Sequence, residues 1–239
     1  MSGLENGRGN SPDIGRDDLW QARSAVVRVC RQLVERGLVV GTAGNVSARS
    51  GDLMAVSPSG VDYDKLTPEH VGVHDLRGRA VDAPLQPTSE LALHVAAHAS
   101  PAGEAAGDSC TVVHTHAVAS TALSTVVDGS GVGASHYYCA MFGGAVPVTP
   151  YATFGSQQLA DSVAAALTDR SAVLLGNHGA VVVAGSPDRG LEAAGYLEYL
   201  CEVELRALAT GLPVRRLPPD EIERVGELLG GYGQEISDR

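Results

Sequence analysis

Cys110-Thr111-Val112-Val113-His114-Thr115-His116 is the stretch on which the fold turns. Its β-branched residues suit a buried, pleated strand, and residues two apart on a strand leave the same face. The next segment, Ala117 to Leu123, reads as a helix. A second such pair follows downstream, with a helix from Ser156 to Leu167 and a strand from Ala172 to Leu175. Asn177-His178-Gly179 then separates that strand from another apolar run, Ala180 to Ala184, after which helices are expected from Pro187 to Ala209 and from near Pro219. Upstream, Leu19, Ala22, Val26, Val29, Leu33 and Val34 recur at helical spacing, with Gly37 as the stop. Gly41 to Arg49 reads as a Gly-rich turn leading to a strand at Leu53 to Val56. A loop, a helix start at Thr67-Pro68-Glu69 and a strand near Val71 to Asp75 come next. Pro87-Thr88-Ser89-Glu90 opens a further helix, Glu90 falling in its first turn. Helices and strands interspersed over 239 residues, without an internal repeat, imply one α/β domain.

Composition excludes several classes of function. Net charge is −11 with no basic run, so the electrostatic footprint of a nucleic-acid or anionic-membrane binder is missing. No apolar run approaches the ~20 residues of a membrane span. Residues 1–17 are rich in Gly, Ser, Asn and Asp and lack a signal-peptide core, so they read as a disordered lead-in to a cytoplasmic protein. Residues 233–239 read as a short tail. Cys30, Cys110, Cys139 and Cys201 lie far apart among apolar neighbours and read as reduced core residues. Lys65 is the only lysine, and it sits beside Asp62 and Asp64, where it keeps its proton. Schiff-base chemistry, which needs a desolvated lysine, is thereby disfavoured.

His114 and His116 share a strand face and can converge on one point, which is the geometry of two metal ligands. They can equally be core histidines bonded to backbone. His178 supplies a third imidazole, or an ordinary turn histidine; the glycines beside it allow tight turning between two strands. Three imidazoles with a fourth position open describe a catalytic rather than a structural zinc. Glu90 is either a charge favoured by a helix N-terminus or a general base beside that metal. His94 and His98 share the face of Glu90 and form a rival His/His/carboxylate set, although their helix offers no second apolar face for burying it. His70, His74 and His136 read as loop or surface residues. Asn45, Ser59, Gly60, Thr88 and Ser89 are turn and cap residues, but such loops also hold a phosphate through N–H and O–H donors without any basic side chain.

Six motifs occur in order: Gly44-Asn45-Val46-Ser47-Ala48-Arg49, Ser57-Pro58-Ser59-Gly60-Val61-Asp62-Tyr63, Pro87-Thr88-Ser89-Glu90, His114-Thr115-His116, Tyr151-Ala152-Thr153-Phe154-Gly155 and Asn177-His178-Gly179. Over residues 18–232 the chain thus resembles the class II aldolase/adducin family. The resemblance implies a central β-sheet flanked by helices on both faces, in a homotetramer with active sites between neighbouring subunits. It implies that His114, His116 and His178 bind Zn2+, one ion per subunit, and that Glu90 is the acid/base residue. Asn45, Ser59, Gly60, Thr88 and Ser89 are implied to hold the phosphate of a small sugar. Tyr137 stands where a tyrosine reaches the adjoining subunit's site, with Tyr138 as the alternative. The implied reaction is reversible cleavage of a ketose 1-phosphate, such as L-fuculose 1-phosphate or 5-deoxyribulose 1-phosphate, to dihydroxyacetone phosphate and an aldehyde.

Two departures keep their chemistry: the family often has threonine where Ser59 stands and serine where Thr88 stands, and all are hydroxyls. Gly129 to Gly133 looks particular to this chain and bears on which aldehyde is accepted. Ribulose-5-phosphate 4-epimerases, with aspartate in the place of Glu90, and methylthioribulose-1-phosphate dehydratases are the rival activities within the family. Non-catalytic, adducin-like members lose the zinc histidines that this chain keeps.

Overall fold

The computed structural model describes residues 16–126 and 131–230. Its frame is one eight-stranded sheet in the order β4-β3-β2-β1-β5-β8-β7-β6. The strands are β1 (Asn45–Ser50), β2 (Leu53–Val56), β3 (Gly72–Asp75), β4 (Ala80–Asp82), β5 (Thr111–Thr115), β6 (Val148–Thr149), β7 (Ala172–Leu175) and β8 (Gly179–Ala184). Neighbours run antiparallel except β6 and β7, which are parallel. The helices are α1 (Arg16–Glu35), α2 (Leu91–His98), α3 (Pro101–Ala106), α4 (Val118–Leu123), α5 (Gln157–Ala166), α6 (Pro187–Ala209) and α7 (Pro219–Gly230).

The two-residue period of the strands sorts the core into two layers. Val46, Val113, Ala180 and Val182 face Val26, Val29 and Leu33 of α1, Leu123 of α4 and Leu197 and Leu200 of α6. Val112, Val173, Val181 and Val183, from the other side of the same strands, face Leu93 and Ala97 of α2 and Leu159 and Val163 of α5. Helices therefore cover both faces, as the resemblance implied. His114, two residues beyond Val112, emerges on the second face, under α2.

The expected strands Leu53 to Val56 and Ala172 to Leu175 and the helix Pro187 to Ala209 form where the sequence places them. Helix α1 starts at Arg16, two residues before the expected domain boundary, while residues 1–15 and 231–239 lie outside the described residues. Gly41 to Arg49 is not all turn: from Asn45 it is β1, paired between β2 and β5. Ser47 and Arg49 hide its apolar period, because Val46 and Ala48 alone carry the apolar side of a strand whose other face is polar, though Asn45 and Ser47 on it are buried too. Helix α3, the edge strands β4 and β6 and a short 3-10 helix at Tyr137–Phe142 complete the described fold. Helix α4 is six residues long, and Glu198 of α6 accepts hydrogen bonds from the Ala119 and Ser120 N–H groups at its N-terminus, at 2.6 and 2.9 Å. All four cysteines are buried and unpaired. Among the described residues no helix is long and apolar enough to cross a membrane.

Candidate active site

Three elements bring Glu90 and three histidines together. Strand β5 delivers His114, and His116 follows one residue after its end. Glu90 immediately precedes α2 rather than lying within its first turn, and its N–H donates to the Thr88 hydroxyl at 3.2 Å. His178 sits in the three-residue connection between β7 and β8, whose ends pair Leu175 with Gly179. There the left-handed residue is Asn177, at φ 56°, and not either flanking glycine. Those glycines serve close approach instead: a Cβ on Gly176 would lie 2.6 Å from the Thr149 carbonyl oxygen, and one on Gly179 would lie 2.2 Å from that of Thr115. The tight turning expected of the glycines is thus supplied by an asparagine, a residue type whose short polar side chain tolerates this conformation.

One ligand-capable atom from each of Glu90, His114, His116 and His178 falls within 4.8 Å of the others. The three imidazole centroids are 4.7, 4.8 and 4.9 Å apart, with ring planes at 71–76° to one another. The His114 Nε2 lies 2.8 Å from the His116 Nε2 and 3.0 Å from Glu90 Oε2. The His178 Nε2 lies 3.6 Å from Glu90 Oε1, an oxygen that is buried and has no hydrogen-bond partner among the described residues.

Protonation suits this set to a cation. His114 Nδ1–H donates to the Ala180 carbonyl at 2.9 Å, which turns Nε2 toward the cluster. Burial, reinforced by the neighbouring imidazoles, holds the His116 pKa down to about 4, and burial likewise lowers that of His178. Burial by itself would raise the Glu90 carboxyl. Hydrogen bonds from His114 and Asn45, together with the adjacent imidazoles, outweigh it and hold the group well below the ordinary carboxylate range. Imidazoles held neutral at His116 and His178 and an ionised carboxylate at Glu90 are forms a divalent metal binds, so the donor set fits a metal ion.

The cluster forms the floor of a cleft of about 300 Å³. Asn45, Ser59, Gly60, Thr88 and Ser89 all line it, together with Glu90, His116 and His178. Ser59, Gly60 and Ser89 are exposed there, whereas Thr88 is buried and its hydroxyl is engaged by the Glu90 N–H. Asn45 stands directly opposite His114 across the β1–β5 ladder, and one hydrogen of its amide is committed to Glu90 Oε2 at 2.9 Å. Tyr137 is absent from the cleft lining of its own chain; it is 43% exposed and stacks on His136, with ring centroids 4.5 Å apart. Part of the Gly129 to Gly133 segment, residues 129–130, lies outside the described residues.

Sequence reasoning misplaced two histidine groups. His94 and His98, whose helix was expected to lack a buried second face, are buried at 0% and 2% exposure and bond to Asn45 and Ser47 instead of closing a metal set with Glu90. His74, expected at the surface, is buried on β3. Among the cleft residues given no role are Tyr151 and Phe154, which line it while 62% and 65% exposed. Their signal in the sequence was two large aromatics in a Gly-terminated turn, where no core needs them.

Comparison with known proteins places this site in context. The profile described as "Class II Aldolase and Adducin N-terminal domain" matches residues 24–205. The chain is 38% identical over 214 residues to L-fuculose phosphate aldolase of Escherichia coli strain K12, covering 89% of this chain and 96% of that protein. It is 32% identical over 219 residues to 5-deoxy-D-ribulose 1-phosphate aldolase of Bacillus thuringiensis serovar kurstaki, covering 91% and 99%. A solved L-fuculose 1-phosphate aldolase superposes with a TM-score of 0.80 at 28% identity, covering 92% of this chain and all of the other.

Proposed function

The chain belongs to the class II aldolase and adducin family, a group of carbon–carbon lyases among its named relatives, and on that premise we propose that it is a zinc-dependent aldolase. Its substrate in this reading is a ketose 1-phosphate resembling L-fuculose 1-phosphate or 5-deoxyribulose 1-phosphate, cleaved reversibly to dihydroxyacetone phosphate and an aldehyde. The observation that carries the reading is the convergence of Glu90 with three imidazoles at the floor of a cleft walled by hydroxyls and a helix N-terminus.

Each residue then has a task that its position supports. His114, His116 and His178 hold the ion through Nε2, the Nδ1 of His114 being tied to the Ala180 carbonyl. When bound, the ion would supply Lewis-acid polarisation of the substrate carbonyl. Ser59, Gly60, Ser89 and the second amide hydrogen of Asn45 hold the phosphate, with Thr88 and the start of α2 adding N-terminal donors rather than positive side chains. In the condensation direction Glu90 takes the proton from the carbon beside the carbonyl of dihydroxyacetone phosphate. In the cleavage direction it returns that proton to the same carbon. Its burial among imidazoles supports the role of a base over that of a counter-charge in solvent.

The reading extends to one catalytic domain over residues 18–232, in a cytoplasmic ring of four copies. Tyr137 of a neighbouring copy completes each cleft and serves the aldehyde oxygen; its exposure, outside the cleft of its own chain, supports this.

Metal analysis and a panel of ketose 1-phosphates, assayed on one preparation for released dihydroxyacetone phosphate, test the proposal. Wild type is expected to bind about one zinc per chain and to release that product, and His116→Ala to lose both. Zinc bound with an epimer or a dehydrated product instead of dihydroxyacetone phosphate refutes the aldolase assignment. Absence of stoichiometric metal refutes the site.

A further inference from the structure

Behind Glu90 a string of buried side chains leads away from the cleft through Asn45, His94, Ser47 and His98. Only Asn45 of the four lines the cleft. Two elements build the string. Asn45 and Ser47 leave β1 on one face, while Val46 and Ala48 pack into the opposite core layer. His94 and His98 are one turn apart on α2 and meet Ser47 from above.

The direction of every bond follows from the acceptor at the end. An amide nitrogen only donates, and that of Asn45 lies 2.9 Å from Glu90 Oε2, which accepts, while the amide oxygen faces His94. An amide oxygen also only accepts, so His94 carries its hydrogen on Nε2, 2.6 Å away. The bare His94 Nδ1 then accepts from the Ser47 hydroxyl at 2.7 Å. With that hydrogen used, Ser47 Oγ accepts from His98 Nε2–H at 2.8 Å. Four hydrogen bonds point the same way and end on one carboxylate oxygen.

We propose that this string positions Glu90, with His94 the positioning residue that acts through Asn45, Ser47 fixing its tautomer and His98 closing the series. The proposal rests on the reading of Glu90 as the acid/base residue. A buried carboxylate has no water shell to hold its orientation; a donor locked by successive bonds between a strand and a helix fixes it. The string orients and does not conduct, because the Asn45 amide nitrogen cannot take up a proton to pass it on. Nor does it make a second metal site, since both His94 nitrogens are engaged and the Ser47 oxygen stands between the two rings.

Two substitutions separate positioning from space filling. Glutamine at His94 can offer N–H to Asn45 and a carbonyl to Ser47; phenylalanine fills the volume and offers neither. In the zinc-loaded protein, His94→Phe is expected to lower kcat about 10–100-fold with metal content retained and KM within about threefold, and His94→Gln to recover most of the loss. A His94→Phe protein with wild-type kcat, or a His94→Gln protein as impaired as it, overturns the proposal. If His94→Phe does not fold, Ser47→Ala takes its place, with a fall in kcat again expected and an unchanged kcat again contrary. Imidazole ¹⁵N shifts read the string without turnover: His94 must hold its hydrogen on Nε2 at neutral pH, and a hydrogen on Nδ1 overturns the proposal. If wild type releases no dihydroxyacetone phosphate, the proposed function falls while this tautomer still decides the string.

Discussion

Replacing Glu90 with glutamine isolates one step of the proposed chemistry. The carboxamide has the shape of the carboxylate and can still accept from Asn45, whose nitrogen lies 2.9 Å from Oε2. The substitution therefore removes charge and basicity while leaving the packing of a residue only 4% exposed. A positioned general base contributes about 10²–10⁴-fold, or about 2.7–5.5 kcal/mol. Because the hydrogen bonds and imidazoles around Glu90 depress its pKa, it is a weak base, and the loss is expected nearer the lower bound. The assay is uptake of solvent deuterium into dihydroxyacetone phosphate, followed by proton NMR with no aldehyde present, so that carbon–carbon bond formation cannot mask the step. Glu90→Gln should bind metal as wild type does and exchange about 10²-fold more slowly or worse. Exchange at the wild-type rate with metal bound refutes Glu90 as the base, and loss of metal together with exchange makes it a ligand first.

Gly179→Ala should unseat His116, because the new methyl meets the Thr115 carbonyl oxygen at 2.2 Å and His116 Cδ2 at 3.1 Å. The expected cost is about 1–3 kcal/mol of stability with reduced metal affinity, checked by thermal unfolding and metal titration, and an unchanged protein refutes the close-approach argument. Acid should destabilise the chain through its buried histidines, since burial holds the pKa of His94 down to about 3 and of His98 to about 4. Both are near 6.5 when unfolded, so the unfolded chain takes up these protons first: stability is full above that value and falls by about 1.4 kcal/mol per pH unit per histidine toward pH 4. Urea unfolding of chelated protein at pH 7, 6 and 5 measures the slope, which His94→Gln should reduce by one proton's share; equal stability at pH 7 and 5 sinks the account.

Much of the site was legible because its geometry is local. His114 and His116 are two apart on a strand, so their shared face follows from the strand period alone. Glu90 lies beside a recognisable helix start. The strand β1 was less legible, since its apolar side shows only Val46 and Ala48 between polar residues that are themselves buried, and a Gly-rich approach disguised its first residue. His94 and His98 were misjudged for a related reason. Helix periodicity marks a face as polar, but it cannot tell a solvated polar face from one that is buried and satisfied by a neighbouring strand.

Composition and order of motifs determined that this is an acidic α/β chain with a single lysine, carrying three candidate imidazole ligands and a carboxylate; these are properties of residue type and short-range spacing. What the tertiary structure decided is which of eight histidines meet. Pairing Asn45 against His114 across β1 and β5, and closing the β7–β8 turn on Asn177, join residues up to 133 positions apart, from Asn45 to His178, in one cleft. Such contacts depend on register and on glycines small enough for carbonyls to approach, and neither is written in the periodicity of any single segment.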